Sequence, residues 1–213
     1  MNHQSSTSYY HILVTLIIIL FISNLSTAFG STKSKATISS NPVYKTYIQK
    51  ACNTTRFPVL CCTTLYPFAS RIKEDDVKLS KISLSLTLNA TRSAYFSISN
   101  ALKQSRLTHT EVAVVKDCVD NIKDAVYELR QSFHSIELLG GKDRDFQVSN
   151  IQTWVSAALT DEDTCIEGFN EQKVSPEVKN RIKMSVIKVA RMTSNTLAFI
   201  NSLTYSRSSN NEG

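Results

Sequence analysis

The sequence predicts an all-α fold: an antiparallel up-down-up-down four-helix bundle with a helical hairpin placed before it. Three observations carry this. Only five glycines and four prolines punctuate the 213 residues, so the turn signals that strands require are scarce. Four long segments, near 75–107, 109–139, 145–172 and 176–204, keep apolar residues at helical spacing. The connections between these segments are short, which favours antiparallel neighbours.

In chain order, residues 12–22 (ILVTLIIILFI) form an apolar run followed by Ser26-Thr27-Ala28. The run is short for a membrane span and has small residues where a signal peptidase cuts. Residues 1–28 are therefore expected to be a secretory signal, leaving 185 residues, the size of one domain with a real core. A Ser-rich lead-in over 29–41 precedes the hairpin, which is expected from Pro42 to Phe68.

The bundle is expected over 75–205, completing one domain of 42–205 with a flexible tail at 206–213. In its first helix, Ile82-Ser83-Leu84-Ser85-Leu86-Thr87-Leu88-Asn89 alternates with strand period. No second strand is available to pair with it, and Ala90, Ala94 and Ala101 follow, so helix is the better assignment. The second helix is the clearest: Val115, Val119, Ile122, Val126, Leu129, Phe133 and Ile136 form one seam. Thr108 with Glu111 makes a capping box at its start, and Gly140-Gly141 supplies a left-handed stop. In the third, Trp154 among Ile151, Val155 and Ala158 is expected to anchor the core. The last opens with Ser175 as cap and Pro176 in the first turn, and buries Val178, Ile182, Val186, Val189, Ile200 and Leu203.

Cysteines stand at 52, 61, 62, 118 and 165, which in an oxidising compartment allows two bridges and one leftover thiol. Adjacent Cys61 and Cys62 do not pair with each other, so Cys52 closes a local loop with one of them and Cys118 meets Cys165. In the chain-entropy account the short loop contributes roughly 2.5 kcal/mol and the long one about 4 kcal/mol. Cys62 is expected to be a buried thiol. Asn53-Thr54-Thr55 and Asn89-Ala90-Thr91 are glycosylation sequons, which makes Asn53 and Asn89 acceptors in a secreted chain.

Charge is unevenly placed. From His109 to Glu171 thirteen acidic side chains stand against five basic ones, whereas the whole chain carries +6. Asp117, Asp120, Asp124 and Glu128 recur every three or four residues on one helix, and Asp163, Glu167 and Glu171 do so on the next, with Thr164 at the border. A Cys118–Cys165 bridge holds these helices side by side, so their outer faces are expected to make one acidic docking surface. The final helix is the reverse, with Lys179, Arg181, Lys183, Lys188 and Arg191 against Glu177, a set that suits either contact with an anionic polysaccharide or simple solubility.

Catalytic chemistry is hard to assemble. Beyond the leader the only histidines are His109 and His134, and there is no nucleophile elbow, phosphate-binding glycine loop or paired-histidine zinc motif. Neither a metal nor a cofactor is expected, and the carboxylates that can be placed are expected on outward faces where nothing desolvates them or shifts their pKa. Nucleic acid is excluded as a partner, because the basic residues of this secreted chain lack interleaved aromatics.

The segments ACNTTRFPVLC with LYPFA after a gap, VVKDCVDNIKDAVYELRQS, and WVSAALTDEDTCIEGF resemble the plant invertase and pectin methylesterase inhibitor family over about residues 43–204. The resemblance implies a four-helix bundle with an N-terminal hairpin, disulfides Cys52–Cys61 and Cys118–Cys165, and Cys62 as the extra thiol. Invertase-branch members present a Pro-Lys-Phe loop, whereas here the connection reads Asn170-Glu171-Gln172-Lys173-Val174-Ser175-Pro176. Similar segments also precede the catalytic domain of many pectin methylesterases, and no such domain follows within these residues. A free-standing, non-enzymatic inhibitor of pectin methylesterase in the apoplast or cell wall is thus expected. Inhibition of invertase, or a non-inhibitory pectin-binding role, are the alternatives. Members cover the esterase's pectin-binding cleft with the outer faces of two bundle helices in a reversible one-to-one complex. By motif position the implied partner-binding residues are Asp120, Asp124, Thr164 and Glu167.

Overall fold

The computed structural model of the chain describes residues 41–104 and 106–211, with the side chains of 104 and 205–211 excepted. The signal segment and most of the lead-in fall outside the described residues. Every described element is helical. A two-helix hairpin comes first, α1 over Pro42–Asn53 and α2 over Pro58–Leu65. A 3-10 turn at Tyr66–Phe68 and one short turn, α3, at Ala69–Ile72 lead into the bundle. Its four helices are α4 (Asp76–Gln104), α5 (His109–Glu137), α6 (Arg144–Glu171) and α7 (Pro176–Asn211). Each neighbours the next and α4 closes on α7, which gives the square antiparallel arrangement.

The helix ends follow their chemistry. Both hairpin helices begin with proline at a position whose N–H has no intrahelical acceptor, and the Asn41 side chain accepts from the Val43 N–H at 3.0 Å. At α5 the capping box forms: the Thr108 hydroxyl accepts from the Glu111 N–H, and the Thr108 N–H donates back to the Glu111 carboxylate at 2.9 Å. The second Glu111 oxygen accepts the Ser175 N–H at 2.9 Å, so one carboxylate ties together the starts of α5 and α7. Those bonds, Ser175 first, pull the Glu111 pKa down to about 2. Between α5 and α6 only Gly141 takes a left-handed φ, 70°. The α7 backbone stays helical through Asn211, past the expected tail boundary, because residues 206–211 contain no glycine or proline to end it.

Two apolar layers fill the bundle. One holds Leu88, Ala125, Leu129, Val155, Ala158 and Ile200; the other holds Ala94, Cys118, Ile122, Cys165, Phe169 and Val189. Between them lies a buried polar layer. Glu162 of α6 is fully buried, and its Oε1 accepts from Thr91 of α4 at 3.2 Å and Thr193 of α7 at 3.0 Å. Beside it, the Thr196 hydroxyl contacts those of Ser83 and Thr87 at 2.7 and 2.9 Å.

This polar seam accounts for the alternating stretch in α4. Leu84 and Leu88 face the bundle core, Ile82 and Leu86 pack on the hairpin cluster, and Ser83 and Thr87 fill the α7 contact between those faces. The hairpin is held on by that cluster, built on Ile48, Cys52, Cys61, Leu65 and Phe199. Buried Asn195 of α7 completes the attachment, bonding both the N–H and the carbonyl of Phe57 at 3.1 and 3.0 Å. Two sequence expectations need correction. Trp154 is half-buried and outside the core clusters, because the buried repeat on α6 runs Ile151, Val155, Ala158 and leaves Trp154 on the flank. Cys62 is half-buried rather than buried, being one residue out of phase with the buried pair Cys61 and Leu65.

Candidate functional site

Cys118 and Cys165 are bonded with Cα atoms 4.4 Å apart, and Cys52 is bonded to Cys61 with a Cα separation of 5.6 Å; Cys62 is free. The first bond sits between the apolar seams of α5 and α6 and fixes their register. Outside it, Asp120, Asp124, Thr164 and Glu167 are all exposed, as are Asp117, Asp163 and Glu171. Asn53, at the end of α1, and Asn89, midway along α4, are exposed as well.

The exposed acids do not form one uniform sheet of charge. Asp161 of α6 lies near Asp124 and Glu128 of α5. Desolvation, then Asp124, raises the Asp161 pKa; desolvation, then Asp161 and Asp124, raises that of Glu128. Asp163 and Glu167 instead line a groove of about 460 Å³ toward α7, together with Arg56, Phe57 and Arg191. Both guanidiniums there stand over the Phe57 ring, at 5.7 and 5.3 Å from its centroid. The acidic edge of α5 therefore meets α6 through Asp161, while Glu167 belongs to a mixed-charge neighbour of that edge. Thr164 directs its hydroxyl to the Thr160 carbonyl at 2.8 Å.

Helix geometry explains the division. Successive residues turn by about 100°, so Asp161 meets α5, Glu162 enters the core and Asp163 meets α7. Asp161 and Glu162 were missed as special positions, although the buried repeat Ala158, Glu162, Cys165, Phe169 is visible at spacings of four, three and four. The expectation that the placed carboxylates escape desolvation is overturned at Glu128, and Glu162, which the sequence leaves unplaced, is buried outright. Burial pushes Glu162 up to about 8 against the lowering effect of its two threonine bonds, and its Oε2 has no hydrogen-bond partner.

On the basic helix, the Lys183 ammonium donates to Asn170 at 2.6 Å and Arg191 covers Phe57, so the five cations do not form one free strip. Among the described residues no three His, Cys, Asp or Glu side chains come together to hold a metal, and no helix is long and apolar enough to cross a membrane.

The sequence profile of the plant invertase/pectin methylesterase inhibitor family matches residues 46–199. The chain belongs to that family. Among its relatives, pectinesterase inhibitor 10 of Arabidopsis thaliana is 40% identical over 165 residues, covering 76% of this chain and 52% of that protein. Pectinesterase inhibitor 4 of the same plant is 36% identical over 160 residues, covering 74% of this chain and 80% of that protein. The chain thus spans about half the length of the first relative and most of the second. A crystal structure of a mutant pectin methylesterase inhibitor from Arabidopsis shares the fold, with a TM-score of 0.60 at 16% identity over 72% of this chain and 95% of the other. The disulfide-clamped pair α5 and α6 lies within the matched span.

Proposed function

We propose that this inhibitor-family chain is secreted to the plant cell wall, blocks the pectin-binding cleft of a pectin methylesterase in a reversible one-to-one complex, and performs no chemistry of its own. The carrying observation is the pair α5 and α6, locked in register by Cys118–Cys165, with Asp120, Asp124, Thr164 and Glu167 exposed outside the lock. A rigid pair of helix faces suits occlusion of a groove shaped for an extended polymer, since little conformational entropy is lost on docking. Carboxylates along it steer the encounter with an enzyme whose cleft accepts an anionic polymer. Relatives named as pectinesterase inhibitors support the esterase as target.

The leader, the sequons and the two disulfides fit an extracellular location, with Asn53 and Asn89 exposed for glycan attachment. Titrating purified chain into separate assays of wall esterase and of invertase tests the reading. Stoichiometric loss of methyl-ester hydrolysis with sucrose hydrolysis intact is expected. Selective loss of sucrose cleavage would move the chain to the invertase branch.

A further inference from the structure

The side of α5 facing away from α6 has a different character. There α4 and α5 enclose a groove of about 340 Å³ lined by Arg92, Tyr95 and Phe96 from α4 and by Lys123, Tyr127 and Arg130 from α5. Phe96 is 63% exposed and Tyr127 56%, an unusual amount of aromatic surface to leave in water. Tyr95 supports Phe96 edge-on, with centroids 5.4 Å apart. Arg92, Lys123 and Arg130 have no hydrogen bond, ion pair or ring contact to another described side chain. Elsewhere Arg56, Arg71 and Arg191 lie over phenylalanines and Lys78 and Lys81 are in ion pairs, while Lys45, Lys50, Lys116 and Lys188 are as free of partners as these three, so what sets the groove apart is the exposed rings beside its cations. Three cations without partners beside two exposed rings call for a ligand that is anionic and has flat apolar faces.

We propose that the α4–α5 groove binds a short run of de-esterified uronic-acid polysaccharide. Guanidiniums take carboxylates with two parallel hydrogen bonds, and the C–H face of a pyranose ring lies against an aromatic face. Lys123 and Arg130 stand seven residues apart on one helix, roughly 10 Å, with Tyr127 between them. An extended chain carrying a carboxylate on every sugar meets both cations while a sugar ring covers the tyrosine. An acidic protein surface with apolar side chains beside its carboxylates is the competing occupant, since aromatics and arginines also mark protein interfaces; comparison with polyglutamate addresses it. Asp124 also lines the groove and opposes the ligand's charge. The binding stands apart from the inhibitor reading. Its consequence rests on that reading: de-esterification exposes carboxylates, so the groove would hold the inhibitor where the enzyme has already acted.

The test is calorimetric titration of the purified secreted chain, glycans trimmed because Asn89 lies two turns before Phe96, with a galacturonic-acid decamer. Binding that weakens with added salt is expected, together with little binding of the fully methyl-esterified decamer. The R92Q/R130Q variant should bind about tenfold more weakly, and so should F96A with every cation intact. K188Q, on α7, should bind as the unsubstituted chain does. Absence of binding, equal binding of the esterified decamer, or unchanged binding by both groove variants overturns the proposal; equal binding of polyglutamate overturns it in favour of an acidic protein partner. Esterase inhibition measured on the same variants separates the two readings, because R92Q/R130Q should inhibit normally.

Discussion

A carboxyl group buried with hydroxyl donors on one oxygen and nothing on the other keeps its proton, and Glu162 is such a group. Its surroundings from α4 and α7 are the uncharged Thr91 and Thr193; the charges that reach it are Asp161 and Asp163 on its own helix, both of which raise its pKa further. Since the folded value lies near 8 and the ordinary value is 4.5, the contribution to stability is complete below about 4.5 and is lost as pH rises through 8. The expected loss is on the order of a few kcal/mol. Thermal melts at pH 5 and pH 8 should show the chain less stable at the higher pH, and Glu162→Gln should remove most of that difference; two curves of equal slope would refute it. Glu111 works in the other direction: its lowered pKa adds stability above about 4.5 that disappears as pH falls toward 2. Both residues were visible as acids in the sequence. The capping-box half of Glu111's role was legible from local spacing, but its bond to Ser175, 64 residues away, depends on the bundle bringing two helix starts together.

Among the elements, α5 was the most legible because its apolar seam, capping box and glycine stop agree; its observed span, His109–Glu137, differs from expectation only at the C-terminal end. The face of α6 was less legible because assigning Asp161 and Asp163 to opposite flanks requires knowing which neighbour lies on each side. The sequence left a break at 69–74 between hairpin and bundle, but nothing in it marked the backbone conformation there. Lys73, which follows α3, has φ 58° and ψ −123°, a conformation that disfavours any residue with a Cβ. Lys73→Gly should therefore stabilise the chain by about 1 kcal/mol, net of the extra freedom glycine has when unfolded; chemical denaturation giving a lower midpoint would show that the strain is absent. The α5–α6 pair makes a second demand. Replacing Cys118 and Cys165 together by alanine should lower stability by up to about 4 kcal/mol. If the clamp also sets the docking ridge, inhibition should weaken at temperatures where the variant is still fully folded, whereas removing Cys52 and Cys61 should lower stability with less effect on inhibition.

At the scale of the molecule, α5 stands between two charge environments, with Glu128 and Asp161 toward α6, Lys123 and Arg130 toward α4, and Asp124 reaching both. Clustering like charges against a half-buried partner opposes folding, so the cluster is a cost to the isolated chain that association with another molecule can offset. Asp124→Asn tests this because stability and inhibition should move in opposite directions. Removing the charge relieves Asp161 and Glu128, so the melting temperature should rise slightly, by a few tenths of a kcal/mol in stability for an exposed position. The same change should weaken esterase inhibition. Reversing charge at both Asp124 and Glu167 should go further, slowing association with the esterase about tenfold at low salt and approaching the unsubstituted rate as salt rises, because the effect acts through long-range steering. A double variant that folds normally and inhibits at full rate in low salt would place the docking surface on another face of the bundle. One that loses inhibition at every salt concentration would point to direct contacts that hold the complex together, which would appear in the dissociation rate instead.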